Sequence, residues 1–239
     1  MSKFHDDSTR ADAPGGLALS ERKLRALEPE LFSDRTFECS PGCRHTHPAS
    51  EMRERIAEHL ELGDSRAAIV VSISPLIVAA YSDDLDAVAL LRFPATFAVE
   101  QGLTVGSRLL TVNTYRNDVA HGVPRYDPDL VPGPARVRWT GFHPLIAEFL
   151  SDDTRRIDAR KHEIREGEWQ TTERLARIRI ERFGLETARS GKPTRAGFPG
   201  RAVPSSPPSR GTTLPLGGQT VVVIVAILIA LLVLLAQSR

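Results

Sequence analysis

Cysteine is scarce in this chain, with Cys39 and Cys43 the only two in 239 residues. Lysine is nearly as rare: Lys3, Lys23, Lys161 and Lys192 are the only four among 31 basic residues. That arginine bias, together with many alanines, prolines and valines, points to a GC-rich coding sequence and a bacterial source. Charge of one sign is also missing. A formal net charge of +1 argues against bulk nucleic-acid binding, which draws on a basic surface. The chain has no phosphate-cradling glycine loop, no dinucleotide fingerprint, no nucleophile elbow and no HExxH pair. These absences weaken an enzyme reading without removing it, because many catalytic sites carry no local motif. No repeat of fixed period occurs.

Long apolar runs are absent too, except for one. From Val221 to Ala236 no side chain is charged or polar, and at about 1.5 Å per residue that run is roughly 24 Å of helix. Extending it to Leu216 gives about 31 Å, close to the thickness of a bilayer's hydrocarbon core. Residues 216–236 therefore read as a transmembrane helix, because an all-round apolar helix otherwise needs protein packed on every side. The opening stretch "MSKFHDDSTRADAPGG" has no apolar core, so it is no secretory signal, and a GPI signal would require one. Basic residues near a span favour the cytoplasmic side. Arg189, Lys192, Arg195, Arg201 and Arg210 precede the run with no acidic residue among them, and only Arg239 follows it. The expected topology is that of tail-anchored proteins, single-pass, with the N-terminal domain cytosolic and the helix in a bacterial inner membrane.

Four segments follow from composition. Residues 1–16 read as a disordered N-terminus, 17–187 as a soluble domain, 188–215 as a disordered linker and 216–236 as the membrane helix. The linker's proline, glycine, serine and arginine disfavour a packed core. As a flexible coil of about thirty residues it would span roughly 30 Å, and its basic groups would be drawn to anionic lipids.

Within the domain, Ser20 is placed to cap a helix carrying Leu24, Leu27 and Leu31. In "ASEMRERIAEHLELGD", Met52, Ile56 and Leu60 share a helical face, and Gly63 sits where a left-handed cap is expected. The period then changes. "AIVVSI", "LIVAAYS", "DAVALLRF", "SRLLTVNTY" and "ARVRWTGF" read as strands, with a turn at Ser74-Pro75 and a hairpin across Asp83 and Asp84. A brief helical turn through "ATFAVEQ" should close at Gly102. From Pro144 to Phe183 the composition is helical, ending at Gly184. The expected fold is α+β, about five mostly antiparallel strands flanked by helices.

One cluster suggests chemistry. In "FECSPGCRHTHP", Cys39, Cys43, His45 and His47 are two thiols and two imidazoles, the donor set that zinc takes in a tetrahedron. Their spacing is tight, since familiar sites separate the two ligand pairs by a dozen or so residues. One of the four would then point elsewhere, leaving His59 or a water to complete the shell. The competing reading is two unconnected cysteines or a disulfide, which a cytosolic location disfavours. Asp83, Asp84 and Asp86 are a weaker cation candidate, because Asp-rich turns arise from bonds to their own backbone. Tyr115, Asp118 and His121 form a third candidate, in a loop after a strand, while His143 and Trp139 read as packing residues.

Two function classes remain. In the first, the domain is an interaction or regulatory module held near the membrane, with a protein partner. In the second, it is a membrane-attached metal-dependent enzyme using the Cys/His loop. Self-association beside the membrane is a third arrangement.

Overall fold

The computed structural model describes residues 11–38, 46–116, 126–133 and 139–196. All belong to one compact unit, Met1–Ala202, and the second unit, Val203–Arg239, lies outside the described residues. So does the expected membrane span. Among the described residues no helix is long and apolar enough to cross a membrane.

The fold is α+β. Ser20 caps α1 (Glu21–Leu27), its hydroxyl accepting the Lys23 N–H at 3.3 Å. Leu24, Leu27 and Leu31 are all buried, the last in a 3-10 turn over Pro29–Phe32. A two-stranded pair, β1 (Thr36–Glu38) with β2 (Thr46–Pro48), leads into α2 (Ala49–Leu62), which buries Ile56 and Leu60 and packs Met52 against the same core. Sequence alone reads this pair as a loop, because three-residue strands leave no periodicity.

Six strands then form one mixed sheet. They are β3 (Asp64–Ile73), β4 (Leu76–Ser82), β5 (Ala87–Phe93), β6 (Arg108–Arg116), β7 (Gly141–Ile146) and β8 (Arg189–Ser190), in the order β7-β6-β3-β4-β5-β8. All pairings are antiparallel except β5 with β8. The sheet is covered on both faces, which explains why β4 reads as an unbroken apolar run: all seven of its residues are buried. Leu76, Val78 and Ala80 join Leu24, Leu60 and Phe149 in one core. Ile77, Ala79 and Tyr81 meet Leu175 and Ala176 in another. The latter two lie on α5 (Glu166–Phe183), which follows α4 (Thr154–Glu163) after a break at Ile164 and Arg165. The short α3 (Thr96–Glu100) ends as expected at Gly102, with φ +58°, and α5 ends at Gly184, with φ +74°.

Two expectations need correction. Pro144, Leu145 and Ile146 are strand, not helix. β7 is an edge strand, and an edge tolerates a residue with no N–H to donate. Gly63 is extended, φ −64° and ψ 160°, so it is no left-handed cap. Its role is close approach: a Cβ there would lie 2.7 Å from the His59 carbonyl oxygen and 2.9 Å from that of Asn113.

The segment before α1 is stitched to the sheet. Gly15 and Gly16 donate to the Gly63 and Glu61 carbonyls at 2.9 and 2.8 Å, and the Ser65 N–H donates to Ala13 at 2.8 Å. After α5 the chain forms β8 and returns to the first helix. Lys192 pairs with Glu30 at 2.9 Å, and the Thr194 N–H donates to Glu28 at 3.1 Å.

Candidate functional site

β3 has different neighbours along its length. It pairs with β6 over Asp64–Ile69, but with β4 only from Ala68 onward. Its first four residues therefore lack a strand on the β4 side, and the Ala67 N–H there is taken by Glu168 Oε1 at 2.8 Å, from the first turn of α5. A strand N–H left without a ladder partner needs a substitute acceptor. The result is a polar cleft of ≈ 370 Å³ between β3, the β4–β5 turn and the α4–α5 junction.

Arg66 spans the cleft wall. Its guanidinium meets Asp64 at 2.8 Å and Asp83 at 2.5 Å. Burial works against the charge on Arg66, but the hydrogen bond to Asp83 and the two carboxylates outweigh it and raise its pKa. Burial pushes the Asp64 carboxyl up to about 7, Arg66 draws it down, and Asp83 pushes it up again. At Asp64, burial and the neighbouring Asp83 carboxylate outweigh Arg66, so this carboxyl titrates near neutrality. Beside them Tyr115 is stacked on Trp139 at 5.6 Å, and its phenol oxygen accepts the Ser82 hydroxyl at 3.4 Å. Burial pushes that phenol well above its usual range, so it stays neutral.

A second polar network is centred on a fully buried arginine. Arg189 of β8 donates to Asp129 at 3.0 and 2.8 Å, to Asp127 at 2.7 Å and to the Phe142 carbonyl at 3.1 Å. Arg116 also reaches Asp127. Burial pushes Asp129 up, but Arg189 and Arg179 outweigh it and hold the carboxyl below its ordinary value. This network is a structural clamp that ties β8 to the segment before β7.

A third feature is apolar. Between α5 and the outer half of β3 runs a groove of ≈ 380 Å³ whose lining includes Ile69, Val71, Val105, Trp169 and Ile180. Arg108 lies over the Trp169 ring at 4.9 Å and pairs with Glu166 at 2.6 Å, and Glu173, Arg177 and Glu181 add alternating charge. Val105 is 62% exposed at the groove, and Ile73, at the end of β3, is 45% exposed.

Comparison of the chain with protein-family models, curated proteins and solved structures returns no match.

Of the expected zinc ligands, Cys39, Cys43 and His45 lie outside the described residues. His47 is described, and its Nδ1 meets Glu51 Oε1 at 2.9 Å, one helical turn away. The substitute ligand His59 is buried, with Nε2 against the Val112 carbonyl at 2.9 Å and Nδ1 3.4 Å from the Thr114 hydroxyl. Asp118 and His121 also lie outside the described residues, so Tyr115 is the one member of its trio that is placed. The aspartates of the β4–β5 turn diverge: Asp83 serves Arg66, while Asp86 accepts the Tyr81 hydroxyl at 3.3 Å. Among the described residues no three His, Cys, Asp or Glu side chains are grouped to share a metal. Sequence reasoning passed over Asp64, Ser65 and Arg66. Their only trace is a pair of opposite charges at alternate positions just before an apolar strand.

Proposed function

We propose that this protein is a binding module held at a membrane by its apolar residues 216–236, and that the groove between α5 and β3 receives an amphipathic helix of a protein partner. The observation that carries the reading is the groove itself, an apolar trough floored by Trp169 and edged by charges of both signs along α5. Helix-in-groove recognition needs an apolar channel for one helical stripe and charged rims to fix its direction. Glu166, Glu173 and Glu181 with Arg108 and Arg177 offer such rims. The membrane half of the reading rests on composition alone.

The test uses the full chain in its native membrane, with a photo-crosslinking residue at Gln170. The expected product joins this position to the apolar face of a helix in another protein, and Val105→Asp, which puts a charge in the trough, should cut its yield at least severalfold. Crosslinks only to lipid, or only to a second copy of this chain, would overturn the assignment of the groove to a heterologous partner.

A further inference from the structure

The polar cleft beside β3 carries a separate inference. Three side-chain atoms that are buried without a hydrogen-bond partner, Ser65 Oγ, Arg66 Nε and Arg160 Nε, belong to residues lining this one cleft. Ser65 is only 2% exposed. Each unsatisfied buried donor costs on the order of 1–3 kcal/mol, a cost that an acceptor oxygen reaching these donors from the cleft would relieve. At ≈ 370 Å³ the cleft lies at the lower end of small-molecule pockets.

The charge balance narrows the class. The lining holds three arginines, Arg66, Arg160 and Arg165, against four carboxylates, Asp12, Asp83, Glu163 and Glu168. Asp83 is engaged by Arg66, and Glu163 by Arg160 at 2.6 Å. One oxygen of Glu168 is engaged by the Ala67 N–H. A phosphate dianion would meet the carboxylates, and a polyamine would meet the guanidinium groups. A small molecule carrying one charge of each sign meets neither penalty. We propose that this cleft binds a zwitterion of the α-amino acid type, its carboxylate toward Ser65, Arg66 and Arg160 and its ammonium toward Glu168 and Asp12.

This site is independent of the helix groove, so either assignment can fail alone. The experiment is calorimetric titration of the full chain in detergent with the common amino acids one at a time, beside their N-acetyl and amide derivatives, inorganic phosphate and spermidine. The expected result is that at least one free amino acid binds while its N-acetyl and amide derivatives do not. Ser65→Ala and Glu168→Gln, which keeps an acceptor for Ala67, should each weaken binding by about tenfold or more, the loss expected for one hydrogen bond to a charged group. Val105→Asp should leave it unchanged. Absence of binding by every amino acid, or affinity retained in both cleft variants, would overturn the proposal. Binding of phosphate or spermidine that Ser65→Ala abolishes would overturn the zwitterion class.

Discussion

A carboxyl that titrates near neutrality makes stability depend on pH where most proteins are insensitive. For Asp64 the ordinary value is 3.8 and the folded value about 7, raised first by burial. Between those two values the folded protein keeps a proton that the unfolded chain has lost, so this group's contribution to stability falls as pH rises through that window. At about 1.4 kcal/mol for each pH unit crossed, the loss is on the order of 1–4 kcal/mol. Asp64→Asn removes the titration, so denaturant unfolding at the two ends of the window should show the native chain losing stability relative to the variant. Parallel pH curves for the two proteins would contradict the assignment. Residue roles of this kind were the least legible in the sequence. Arg189 stands in a basic, proline-bordered stretch and reads as a linker charge, yet it is fully buried between Asp127 and Asp129. Nothing local distinguishes a buried arginine from a solvated one, because the distinction lies in partners 60 and 62 residues away.

Elements were more legible where their cause is local. The Ser20 cap, the Asp83–Asp84 hairpin, and the glycines ending α3 and α5 all rest on side-chain or φ preferences within a few residues, and these read correctly. The failures came from tertiary context. Pro144 looks like the start of a helix until β6 is placed beside it, and Gly63 looks like a cap until His59 and Asn113 are placed around it. The latter yields a test. Gly63→Ala should cost about 1–3 kcal/mol of stability, the range for forcing an extra methyl into a packed site, because its neighbours at 2.7 and 2.9 Å are backbone oxygens that cannot rotate away. A thermal midpoint within a degree of the native one would show that α2 and β3 shift apart at little cost. The break between α4 and α5 is likewise invisible in a stretch of mixed charge, yet Arg160 before it and Glu168 after it both line the cleft.

At the scale of the whole molecule, the clamp on Arg189 has a consequence for how the domain is made. The central strands β3, β4, β5 and β6 are contiguous in sequence and complete at Arg116, so this part of the sheet has its partners early in synthesis. Asp129 has Arg179 at 3.5 Å, but its hydrogen-bonded cation, Arg189, emerges only 60 residues after it, and Glu28 waits for Thr194 across 166 residues. Contacts of such separation form late, since chain closure must precede them. A truncated chain ending at residue 187 should therefore keep sheet content by circular dichroism but lose cooperative unfolding, whereas one ending at residue 196 should unfold in a single transition. Cooperative unfolding of the shorter chain would show that the clamp is dispensable. A nascent chain stalled before Arg189 has Arg116 for Asp127 and Arg179 for Asp129, but it lacks the one guanidinium that bridges the two carboxylates. The ribosome must deliver the chain through Arg189 before that bridge can close, and the short strand β8 acts as the latch.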